Sequence, residues 1–125
     1  MTREEFFEYC TTELGTEADY PFEGDTETAV MRHKDSRKWF AIVMRVPLKK
    51  FGIESEASAN VVNLKLPTEM YGSFGPRDGV YPAYHMNKLH WVSVILSDAN
   101  DGLIRFLTET SYDITKKKKP KGGKK

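Results

Sequence analysis

The chain has 125 residues, the size of one compact domain and too short for a two-domain enzyme of ordinary size. Hydrophobic residues make up 39% and charged residues 30%, with no apolar run near the ~20 residues of a membrane helix, which excludes a wholly disordered chain and a membrane-spanning one. The net charge of +1 conceals three blocks: residues 1–27 carry nine acids and one base, residues 28–115 nine acids and eleven bases, and residues 116–125 seven lysines.

Thr2 with Glu5 forms a capping box, and Phe6, Phe7, Cys10 and Leu14 recur at helical spacing as far as Gly15, so the chain opens with a helix. Residues 16–25 are acidic and turn-rich and read as a connection. Thr28–His33 and Lys38–Val46 then pattern as two strands joined by Lys34-Asp35-Ser36-Arg37. The second is apolar at both parities, the mark of a strand covered on both faces, and Pro47 ends it.

Residues 48–59 read as a loop with room for a short helical turn. Asn60–Leu66 alternates, Val62, Leu64 and Leu66 on the core side and Asn63 and Lys65 on the solvent side. Thr68–Phe74 is predicted as a short helix broken by Gly72 and Gly75-Pro76. Val80–His85 and His90–Leu96 form a second hairpin around Met86-Asn87-Lys88-Leu89, with Asn87 the candidate for the left-handed turn position. A final helix, capped by Ser97 or Asp98, carries Leu103, Ile104 and Leu107 on one stripe and runs to about Tyr112. Hairpins with helices between them, and no alternating βαβ, predict an α+β fold of two layers: one antiparallel sheet with helices on one face, in the order α-β(3)-α-β(2)-α. Residues 1–115 form its single domain. The lysine-rich segment 116–125 has no apolar residue to bury and is expected to be a disordered tail.

Pro82-Ala83-Tyr84-His85-Met86-Asn87-Lys88 followed by Trp91 resembles the signature of the MmcQ/YjbR family of small bacterial proteins. Lys38-Trp39-Phe40-Ala41, Asn63-Leu64-Lys65 and Ser111-Tyr112-Asp113-Ile114-Thr115 resemble that family's pattern in the same order, so that the likeness spans roughly residues 3–115. The resemblance implies the same two-layer fold, similar to type III secretion chaperones and frataxin-like folds. It also implies DNA binding of a double-wing type, and it brings no enzymatic activity and no cofactor. The lysine-rich segment falls outside the family pattern.

One cysteine, Cys10, permits no intramolecular disulfide, and acids stand where a secretory leader would carry positive charge; the cytoplasm is the expected compartment. Cys10, at helical spacing from Phe6 and Leu14, is expected in the core.

The residues that can carry function cluster at the two hairpin turns. Arg32, Lys34, Arg37 and Lys38 surround the first; Tyr84, His85, Asn87, Lys88, His90 and Trp91 surround the second. Lysine and arginine there can meet phosphates, Asn or His can approach base edges, and an aromatic ring can stack on an unpaired base. The same residues also fit ordinary solvated turns. His85 and His90 bracket one turn and offer two imidazoles without a third ligand, so no metal is assigned. No Gly-x-Ser-x-Gly, phosphate-binding glycine loop or paired carboxylates occur, and neither a catalytic residue nor a cofactor is expected. Three functions remain: a non-enzymatic DNA-binding module using both tips, a protein-interaction adaptor of secretion-chaperone-like architecture, and a small-ligand or metal-binding domain at the His85–His90 turn. No membrane partner is expected.

Overall fold

A computed structural model describes residues 1–116, so all of the lysine-rich segment beyond Lys116 lies outside the described residues. Helix α1 (Arg3–Leu14) begins with the full capping box, Thr2 accepting from the Glu5 backbone and the Glu5 carboxylate accepting from Thr2, and Gly15 closes it in the left-handed conformation. The sheet strands are β1 (Ala18–Asp19), β2 (Ala29–Arg32), β3 (Trp39–Pro47), β4 (Ser58–Lys65), β5 (Val80–Pro82) and β6 (Trp91–Ile95), and α2 (Asp101–Ile114) ends the fold. All six strands form one sheet in the order β1-β2-β3-β4-β6-β5, every neighbouring pair antiparallel. The α+β fold with one antiparallel sheet stands as the sequence indicates.

Register assigns the two faces. Met31, Ala41 and Leu64 line up across β2, β3 and β4, and Val43, Val62, Val94 and Val80 across β3, β4, β6 and β5. These residues share one core with Phe6 and Cys10 of α1 and with Ile104 and Leu107 of α2, so both helices cover the same face. Cys10 is fully buried, and burial pushes its thiol up to about 12. On the opposite face a smaller cluster, Val46, Ala59, Val61 and Ile95, is roofed by Leu48 and Phe51 of a 3-10 turn (Leu48–Phe51) and by Tyr81 and Tyr84, with no α-helix over it.

Three local readings differ from the sequence pattern. Residues 68–74 hold no α-helix: Thr68–Met70 is a single 3-10 turn whose Met70 and Tyr71 amides bond three residues back before Tyr71 turns extended, and a second 3-10 turn follows at Pro76–Asp78. The acidic connection contains β1, which pairs Ala18 with Met31 and Asp19 with Val30. The last helix starts later, capped by Asn100, whose side chain accepts from Gly102 and Leu103, because the Asp98 and Ala99 amides already bond the Ile95 carbonyl in the turn leaving β6.

Phe40 is a bulge: Met31 pairs with Ala41 and Arg32 with Trp39, leaving Phe40 without an opposite residue on β2. Its ring turns to the helix layer, 5.0 Å edge-on from Tyr112. On the β4 side the ladder is completed by a side chain of α2, for Ser111 Oγ accepts from the Lys65 amide at 2.9 Å and donates to the Phe40 carbonyl at 2.5 Å.

Candidate nucleic-acid interface

The register puts both hairpin turns at one end of the sheet. β2 and β5 run toward that end, β3 and β6 run away from it, and β4 brings Lys65 alongside Trp91 there. Counting across the strand order, the centres of the two hairpins are three strand spacings apart, about 14 Å. α2 finishes at the same end, where the Thr115 hydroxyl lies 2.8 Å from His33 Nε2, so Lys116 leaves beside the first turn. The opposite end is marked by the Met1 ammonium, which bonds the Leu96 carbonyl and pairs with Asp101 at 3.1 Å.

The first turn is closed by the His33 amide on the Lys38 carbonyl and the Arg37 amide on the His33 carbonyl, with Arg37 in the left-handed region at φ 65. Such a φ is uncommon for a residue with a Cβ. It leaves Lys34, Arg37 and Lys38 exposed around the turn. Arg32 is placed differently: its guanidinium pairs with Asp19 of β1 at 3.0 Å and lies over the Trp39 ring, whose edge Phe22 meets. His33, between them in sequence, is buried against Tyr112 and Phe40.

The second connection, residues 83–90, folds back over the open face of the sheet. Asn63 of β4 and Ser93 of β6 are adjacent in register and fully buried, and they hold it: Ser93 Oγ donates to Asn63 Oδ1, the Asn63 amide donates to the Tyr84 carbonyl at 2.9 Å, and the Tyr84 amide donates to Ser93 Oγ at 2.8 Å. The sequence pattern put Asn63 on a solvent side; this loop covers it. Tyr84 therefore packs near Phe51 and against His85. His85, at φ 62, takes the left-handed position expected of Asn87, while Asn87 caps the turn by accepting the Leu89 amide on Oδ1 and the His90 and Trp91 amides on its carbonyl. His85, Asn87, Lys88 and His90 are exposed and Trp91 is half-buried. Among the described residues no three His, Cys, Asp or Glu side chains gather to hold a metal ion.

Acids are not absent from this end, for Asp19 and Asp35 flank the first turn, but the densest group lies elsewhere. Glu5, Glu8, Glu13, Asp101 and Glu109 line a groove of about 500 Å³ between α1 and α2 on the helix layer. The buried Tyr9 hydroxyl donates to Glu109 in that groove.

The architecture is shared with known proteins. The YjbR family model matches residues 14–114. The chain belongs to the YjbR family. A Bacillus subtilis relative, the uncharacterized protein YyaQ, is 34% identical over 117 residues, which cover 93% of this chain and 99% of the relative. A Pseudomonas syringae protein solved by crystallography is 38% identical, with a TM-score of 0.88 over 93% of this chain and all of that one. A Deinococcus radiodurans protein, 24% identical, shares the YjbR fold with a TM-score of 0.69 over 94% of this chain and 80% of its own. No helix among the described residues is long and apolar enough to cross a membrane.

Proposed function

We propose that this YjbR protein is a non-enzymatic DNA-binding module of the cytoplasm that presents its two hairpin turns together to a phosphate backbone. The observation that carries this reading is their common end of the sheet, on strand pairs whose centres are about 14 Å apart, with Lys34, Arg37 and Lys38 exposed on one turn and Lys88 on the other. That spacing is about four base-pair steps measured along a duplex axis, so both turns can lie against a single duplex. Arg32 contributes by holding the base of its hairpin to β1. The adaptor reading is weaker, because the edge strands β1 and β5 have two and three residues, and Pro82 removes a donor from the latter, which leaves little edge for a partner strand.

The seven lysines at 116–125 could bind DNA without the fold, with a salt slope approaching about −6. The test is therefore made on the full-length chain with Lys117, Lys118, Lys119, Lys121, Lys124 and Lys125 replaced by Gln. Fluorescence anisotropy with labelled duplex and single-stranded DNA should still report binding at low salt, with a log–log salt slope of about −3.6 on duplex and about −2.8 on the single strand for the four contacts of the two turns. Loss of all binding in this variant refutes recognition by the turns.

A further inference from the structure

Beside the second turn lies a cavity of about 240 Å³, between the 66–76 segment and the β5–β6 hairpin. Its walls are mainly apolar, among them Met70, Phe74 and Pro82, and two tyrosines, Tyr71 and Tyr81, join them with Lys88 and the Trp91 indole. The volume is below that of sites for drug-sized ligands and suits one flat ring system. The Tyr71 hydroxyl lies fully buried behind this wall, so the surface a ligand would meet is the apolar lining with Trp91 and Lys88.

We propose that this cavity receives one unpaired nucleobase from a bound strand, stacked on Trp91, with the neighbouring phosphate meeting Lys88. The inference rests on the DNA-binding reading and specifies its substrate as a strand with an unpaired base. Aromatic stacking supplies affinity without demanding a particular base, because every base has a π-face. The rest follows from position: Lys88 belongs both to the exposed turn and to the cavity, so a strand tracking across the two turns passes its mouth.

The experiment uses the full-length chain with the same six lysines beyond Lys116 replaced by Gln and carrying Trp39→Phe, so that Trp91 is the remaining indole, with a thermal melt confirming that it folds. Its fluorescence is followed on adding a 12-mer oligothymidylate, the same 12-mer built of abasic sites, a blunt duplex, or thymidine monophosphate. The thymidylate strand should quench Trp91, and the abasic strand should bind at least about tenfold more weakly without quenching, as loss of stacking requires. Equal binding of abasic and thymidylate strands without quenching overturns the base pocket and leaves DNA binding standing. Quenching by the duplex or by the free nucleotide equal to that by the strand also overturns it. Absence of binding by any strand overturns both readings.

Discussion

His33 and Thr115, 82 positions apart in the sequence, meet through a 2.8 Å contact between Nε2 and Oγ1. The Thr115 hydroxyl donates its own proton to the Ser111 carbonyl at 2.7 Å, which leaves Nε2–H of a neutral imidazole as the donor to Thr115. Burial is the largest influence on His33 and pushes its pKa below the ordinary 6.5, with Lys116 and Lys38 acting the same way and Asp35 and the Tyr112 backbone opposing. The unfolded chain therefore binds a proton that the folded chain resists. This contribution to stability is fully present above pH ~6.5 and is lost as pH falls through the lowered folded-state value. Melting curves from pH 7.5 to 5 should show a declining Tm, and His33→Phe should flatten the part of that decline below pH 6.5; an unchanged slope would assign it to other groups.

The buried amide of Asn63 ties β4, β6 and the 83–90 connection together. Asn63→Ala strands both the Tyr84 carbonyl and the Ser93 hydroxyl, and urea unfolding should register a loss of about 2–3 kcal/mol. Hydrogen exchange should accelerate at Tyr84 in the same variant, since its amide is held by Ser93 Oγ in that network.

Much of this fold is legible in the sequence where local chemistry and tertiary structure agree. The Thr2–Glu5 capping box, the Gly15 terminus and the doubly apolar β3 each depend on neighbours in sequence or on burial that composition reports. The misreadings have a common cause in contacts between distant segments. Asn63 alternates as a solvent-facing residue would, and only the returning loop buries it. β1 has two residues and no pattern of its own; it exists because β2 offers an open edge. At the candidate interface, the exposed cations of both turns could be picked out by charge, whereas Asp19 engaging Arg32 and the cavity that joins Lys88 and Trp91 to the 66–76 segment depend on spacing in three dimensions.

Two glycines separate backbone strain from steric conflict. Gly79 has φ +79, and a Cβ there would stand 2.9 Å from the Ala99 backbone nitrogen. Gly72 has φ +86 with open space around it. Gly72→Ala should cost about 1 kcal/mol, the strain of the left-handed conformation alone, while Gly79→Ala should cost about 3 kcal/mol or more because backbone must also move. Equal losses in chemical denaturation would contradict the close approach of the 79 and 99 segments.

Arg37 allows function and fold to be measured apart. It occupies a left-handed φ that glycine adopts freely, so Arg37→Gly should leave stability unchanged or raise it by up to about 1 kcal/mol. The same substitution should make the salt slope of DNA binding shallower by about 1, one phosphate contact fewer. An unaltered slope would remove Arg37 from the interface.

The Ser111 hydroxyl draws one partner from β3 and the other from β4. Both bonds can be made at once only when those strands lie side by side, so the complete clasp belongs to a late stage of assembly. The hairpin of β3 and β4 is the template and the C-terminal helix the closing piece. In refolding kinetics Ser111→Ala should leave the folding limb of the chevron nearly in place and speed unfolding, the behaviour of a contact made after the transition state. Phe40, Lys65 and Ser111 then form one unit of inheritance in three separate stretches of chain: a change that removes the bulge also removes the reason for the serine.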